Sequence, residues 1–175
     1  MSIAAPLTKA DILRLFELLN AELAADDTRA EVHLVGGAVM CLVFDARAST
    51  RDLDALFRPA APVRRAAARV AAKAGVPDGW LNDAVKGLLG AKGEFAPWFE
   101  ASHLQVLVAV PEYLLAMKCI AMRLGEEFHD LEDVRFLLRY LNITSVPQAM
   151  AVVTRYFDES AVRPKTRLAL EELLG

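Results

Sequence analysis

Between Glu31 and Phe57 the chain sets a strand, a glycine pair, a short helix and a second strand in quick succession, and this block constrains the fold more than any other stretch. Glu31-Val-His-Leu-Val35 reads as a short strand that runs straight into Gly36-Gly37. Residues 38–44 are apolar and predict a short helix, and a polar connection from Asp45 to Arg51 follows. Asp52-Leu-Asp-Ala-Leu-Phe57 then alternates as a second strand, which Arg58-Pro59 ends. Residues two apart on a strand share a face, so Asp52 and Asp54 project together while Leu53, Ala55 and Phe57 face the other way.

The flanking sequence is mostly helical. Thr8 can cap a helix in which Ile12, Leu15, Phe16, Leu19 and Leu23 recur at helical spacing, ending near Asp26-Asp27. Residues 62–74 form an Ala- and Arg-rich helix, 75–79 a turn, and Trp80-Leu-Asn-Asp83 opens another short helix before a Gly-containing stretch ending near Pro97. Residues 104–110 predict a third strand, Pro111 starts a helix to about Leu124, and helices follow at 130–141, 145–157 and 161–173. The expected fold is α+β: a small sheet with helices over residues 1–110, and a helical region over 111–175 packed on that core.

At 175 residues, 55% of them hydrophobic, the chain can bury one substantial core. A net charge of -3 and a pI near 5.6 give no global attraction to nucleic acid or anionic membranes, so a polyanion has to be met by a local basic cluster. Arg64, Arg65, Arg69 and Lys73 supply one on a predicted helix, either as a solvated face or as a contact for RNA. Cys41 and Cys119 lie far apart among apolar neighbours and read as buried free thiols. No segment approaches the roughly 18 apolar residues of a membrane span, and the N-terminus shows no basic start followed by an apolar stretch. The expected location is the cytoplasm.

Two carboxylates on one side of an apolar strand repel and resist burial unless a cation compensates them, and magnesium prefers carboxylate oxygens together with substrate phosphates. A glycine pair after a strand leaves backbone N–H groups open to a phosphate. Arg47 and Thr50, just before the aspartates, can clamp or hydrogen-bond phosphate, or can belong to a solvated loop.

Gly36-Gly37, Arg47, Thr50 and Asp52-Leu53-Asp54 followed by apolar residues resemble the signature of the nucleotidyltransferase superfamily. The similarity is closer to bacterial toxin-type nucleotidyltransferase-like domains, the abortive-infection toxins among them. In these a Gly-Gly, Arg-x-x-Thr-x-Asp-x-Asp block precedes a Lys-bearing helix and an Asp-x-x-Asp motif; here stand Lys118 and Asp130-Leu-Glu-Asp133. The resemblance implies a mixed nucleotidyltransferase-type sheet followed by a C-terminal helical bundle, and Mg2+ or Mn2+ on Asp52 and Asp54. It implies a nucleoside triphosphate such as ATP near Gly36, Gly37, Arg47, Thr50, Lys118, Asp130 and Asp133, with Asp52, Asp54 and Lys118 catalytic. The reaction would move a nucleoside monophosphate to a hydroxyl of RNA, such as tRNA, or of protein. A toxin role, with an antitoxin partner, follows from the same resemblance.

Lys118 interrupts the apolar run 114–122, so its ammonium needs an anionic partner or a route to solvent. That partner is either the triphosphate or Asp130 and Asp133. Asp130 can also act as a helix N-cap. Trp80 reads as a core residue with Asn82 or Asp83 capping a helix, or as a group near a base or metal. His33, His103 and His129 show no metal-ligand spacing. Many active nucleotidyltransferases carry a third carboxylate on a neighbouring strand, whereas residues 104–110 hold only Gln105, with Asp83, Asp130 and Asp133 as possible substitutes in space. A catalytically weak or inactive domain that binds nucleotide, RNA or a partner protein is therefore the competing expectation.

Overall fold

The computed structural model describes residues 5–83, 92–122 and 130–175. Its contacts divide the chain into two compact units, Met1–Gly87 with Phe95–Val108, and Leu88–Glu94 with Ala109–Gly175.

The first unit opens with β1 (Leu7–Thr8) and α1 (Lys9–Ala25). Thr8 and Asp11 form a reciprocal capping box, which satisfies two backbone N–H groups at the helix start. β2 (Ala30–Val35), α2 (Gly37–Leu42), β3 (Ser49–Thr50), β4 (Leu53–Arg58) and α3 (Ala60–Ala74) follow, then a 3-10 turn at Asp78–Trp80, β5 (Leu81–Asn82), β6 (Phe95–Glu100) and β7 (Leu104–Ala109). The sheet order is β5-β4-β2-β7-β6, with β2 antiparallel to β4 and parallel to β7, and β4 parallel to β5. β1 and β3 make a separate two-stranded pair.

One row of side chains across the central strands, Val32, Leu34, Ala55, Phe57 and Val106, is almost wholly excluded from water. α1 and α3 lie side by side; α3 meets β4, and Phe16 of α1 meets Trp98 and Phe99 of β6. Glu22 on α1 receives Arg69 at 2.8 Å and also Lys73, both from α3. Arg64 binds Asp83 at 2.7 Å. Three of the four cations of the α3 cluster are thus neutralised within the unit, which leaves Arg65 as its one member without a carboxylate partner among the described residues.

The second unit is helical: α4 (Pro111–Ile120), α5 (Asp130–Tyr140), α6 (Val146–Tyr156) and α7 (Pro164–Leu174). α4 contacts α5 and α6, and α6 contacts α7. Proline stands in the first turn of α4, α6 and α7, where no N–H is needed. The buried Thr166 hydroxyl donates to the Cys119 carbonyl at 2.9 Å, tying α7 to α4. Both cysteines are free and buried. Among the described residues no helix is long and apolar enough to cross a membrane.

The mixed α+β architecture matches the sequence expectation, with three differences in its elements. Trp80 ends a 3-10 turn and Leu81-Asn82 form a short strand, while the helix expected after them falls on residues outside the described ones. Trp80 is fully buried and its indole N–H donates to the Ala67 carbonyl at 2.9 Å, after which Leu81 and Asn82 pair with Leu53 and Asp54. β6 was hidden by Pro97, which interrupts the strand pattern and is tolerated because β6 lies at the sheet edge. Asp130 is the first residue of α5, while His129 and Leu124 lie outside the described residues, as does the stretch 84–91.

Candidate active site

Asp54 is the second residue of β4 and Asp52 stands just before that strand. Leu53 and Ala55 are completely buried and Phe57 nearly so, so alternation turns the two aspartates to the opposite face. Partial desolvation of its carboxyl, and then the charge of Asp54, hold Asp52 above the ordinary aspartate range, with Arg51 opposing the shift.

Antiparallel pairing sets Val35 beside Asp54, and the turn that follows Val35 closes the site. Gly36 has φ 71° and ψ -149°, a conformation that side chains strongly disfavour. A Cβ added there would lie 3.4 Å from Asp54 Oδ2. A Cβ at Gly37 would lie 2.5 Å from Arg47 Nη1 and 3.7 Å from Thr50 Oγ1. The two glycines therefore have separate neighbours: Gly36 sits against the carboxylate, Gly37 against the guanidinium and the hydroxyl.

Three contacts hold the loop that carries Arg47 and Thr50. Ala46 N–H donates to Met40 O at 3.0 Å, which anchors the loop to α2. Thr50 Oγ1–H donates to Asp52 O at 3.1 Å. Pairing of Leu7 with Thr50 and Thr8 with Ser49 straps the start of the described chain across it. The sequence offered no signal for that strap, because a two-residue bridge has no periodicity to read.

Asp54 is flanked in register by Val35 on one side and Asn82 on the other. Gln105 pairs with Glu31, at the far end of β2 from Asp54, so it belongs to a different part of the sheet. Asp83 is engaged by Arg64. Among the described residues no group of three or more His, Cys, Asp or Glu side chains is arranged to hold a metal ion. The donor set is thus two carboxylates, which suits magnesium only where substrate oxygens or water complete its shell.

In the second unit Lys118 on α4 meets both aspartates of the first turn of α5, Asp133 at 2.8 Å and Asp130 at 3.4 Å. Side-chain exposure is 11% for the lysine and 6% and 5% for Asp130 and Asp133, so the triad lies out of water with a formal charge of -1. Of the two partners open to Lys118 on sequence grounds, the intramolecular one is present.

Among the described residues the histidines form no ligand cluster. His33 Nδ1 is buried with no hydrogen-bond partner, and burial pulls that imidazole below its ordinary pKa, with Glu31 raising it and Arg58 lowering it further. The backbone N–H of His103 donates to Asn20 Oδ1 at 2.8 Å. Compared with known proteins, the chain matches no family model, and no curated protein or solved structure matches it significantly.

Proposed function

We propose that this chain is a divalent-cation-dependent nucleotidyltransferase. The observation that supports the reading is the gathering of Gly36, Gly37, Arg47, Thr50, Asp52 and Asp54 around one turn, carboxylates on one side of it and a guanidinium on the other. Asp52 and Asp54 would hold Mg2+ or Mn2+: a pair of like charges, one of them raised in pKa by burial first and then by the other, is a site that a cation relieves. When bound, the ion would neutralise the triphosphate and polarise its α-phosphorus.

The chain's own residues then do the following. Arg47, seated on the glycine turn, clamps phosphate oxygens through two parallel N–H donors. Thr50 holds the loop in register through its bond to Asp52 O. An acceptor hydroxyl attacks the α-phosphorus, a new O–P bond forms as the bond to the β-phosphate oxygen breaks, pyrophosphate leaves, and the hydroxyl proton passes to water. Alignment and charge neutralisation suffice, so no nucleophilic side chain is needed. RNA such as tRNA, or a protein, is the proposed acceptor, and a toxin role countered by an antitoxin is the biological setting that the resemblance suggests.

A second reading has one specific observation in its favour. Neither neighbour of Asp54 in the sheet is a carboxylate, so a catalytically weak domain that binds nucleotide without transferring it fits the same turn. Incubation with each α-labelled nucleoside triphosphate, magnesium and a host extract separates the two. Label in macromolecules, lost in the Asp52→Ala/Asp54→Ala double variant, carries the enzyme reading. Thermal stabilisation by nucleotide that Asp54→Ala abolishes, without transfer, carries the second, and neither effect would sink both.

A further inference from the structure

The end of the sheet remote from Asp54 holds an open cleft of about 540 Å³. Its floor is the row Arg58, Glu31, Gln105, in register across β4, β2 and β7. Arg29 stands before β2, and Glu100 and the 101–103 turn close the far side. Four residues of strand separate this row from the Asp54 level, or about 13 Å at the usual rise per residue.

Two guanidiniums and two carboxylates therefore line one cleft, and they do not neutralise each other. Among the described residues Arg29, Arg58 and Glu100 have no ion-pair partner, and Glu31 reaches only His33, at 4.0 Å. Arg58 and Glu31 are direct cross-strand partners, the arrangement in which opposite charges usually meet, yet their side chains stay apart. The wall is also held in place. Asn20 of α1 accepts from the backbone N–H of His103 at 2.8 Å and donates to Ser102 Oγ at 3.3 Å, while Ala30 N–H donates to His103 O at 2.9 Å.

A cleft whose formal charges sum to zero offers no net attraction to a polyanion or a polycation. Separated charges of both signs instead match a ligand that is itself dipolar, with a carboxylate for the guanidiniums and an ammonium for the carboxylates. The volume lies in the range of small-molecule sites. We infer that this cleft is a binding site for a small zwitterion of the α-amino-acid class, separate from the Asp52 and Asp54 site and independent of its chemistry.

The test is thermal stabilisation of the full chain by each free amino acid at millimolar concentration, with acetate, inorganic phosphate and ethylammonium as single-charge controls, followed by titration calorimetry of any that act. A subset of amino acids should raise Tm by at least about 2 °C. The exposed substitutions Arg58→Gln and Glu100→Gln should each weaken that binding at least tenfold, and Asp54→Ala should leave it unchanged. No shift from any amino acid overturns the inference. So does a shift that acetate or phosphate reproduces alone, one that survives both cleft variants, or one that Asp54→Ala removes.

Discussion

The space a side chain would fill at Gly37 is taken by the guanidinium of Arg47, whose Nη1 lies 2.5 Å from where a Cβ would stand. The glycine therefore serves the arginine: any larger residue there has to push Arg47 off the turn. The obstructing atoms are the far end of a flexible side chain, so the arginine can yield while the backbone stays. Gly37→Ala should fold, and because Ala is the better helix former its stability should lie within about 1 kcal/mol of the parent. Nucleotide-induced stabilisation should nevertheless fall as far as in Arg47→Ala, and the Gly37→Ala/Arg47→Ala double variant should lose no more than either single one. Additive losses would show that the two residues act separately.

Gly36 should behave in the opposite way. Its positive φ is a backbone requirement, and the residue also lies against Asp54 Oδ2, so Gly36→Ala should cost about 1–3 kcal/mol of folding stability before any question of function arises. Urea denaturation of both alanine variants distinguishes strain at residue 36 from displacement at residue 37.

The turn, the helices of the second unit and the carboxylate pair were legible in the sequence because each has a local signature: glycines, a helical period, or alternation. What was not legible depends on partners distant in the chain. The Leu7–Thr50 bridge, the β5 pairing that puts Asn82 beside Asp54, and the capture of Lys73 and Arg69 by Glu22 all join segments far apart in sequence. Only with α1 laid beside α3 does Glu22 emerge as the partner of Arg69 and Lys73.

That capture has a pH signature. Lys73 foremost, and then Arg69, hold the Glu22 carboxyl below its ordinary value near 4.5. An acid with a depressed native pKa binds fewer protons folded than unfolded, so its stabilisation is fully present above about pH 4.5 and fades as pH falls through the native value. Glu22→Gln should therefore cost roughly 1–3 kcal/mol at neutral pH. The difference from the parent should shrink progressively below pH 4.5 in acid-denaturation curves.

His33 reports on a different window. Burial disfavours its charged form, with Glu31 and Arg58 pulling in opposite directions, and the native pKa falls below 6.5. As pH drops through 6.5 the unfolded chain takes up a proton that the folded one refuses, so stability declines, by at most about 1.4 kcal/mol per pH unit. Phe95 packs edge-on against the ring at 4.8 Å, and Nδ1 has no partner to lose. His33→Leu should thus be neutral or stabilising at pH 7 and should flatten the slope below pH 6.5. A slope that persists in the variant would assign the titration elsewhere.

Lys118 decides whether the buried triad of the second unit is a scaffold or a nucleotide ligand. Its ammonium already faces two nearly buried carboxylates, so Lys118→Met takes one buried cation away from both and should cost about 3–5 kcal/mol. Removing the acids as well, in Lys118→Met/Asp130→Leu/Asp133→Leu, places apolar side chains on the already buried faces of α4 and α5 and should be less costly than Lys118→Met alone. The triple variant then separates stability from function. If it is stable and still takes up nucleotide as the parent does, the triad only joins α4 to α5. If it is stable and nucleotide-induced stabilisation is gone while Asp52 and Asp54 are intact, the triad is needed for nucleotide uptake as well as for joining α4 to α5.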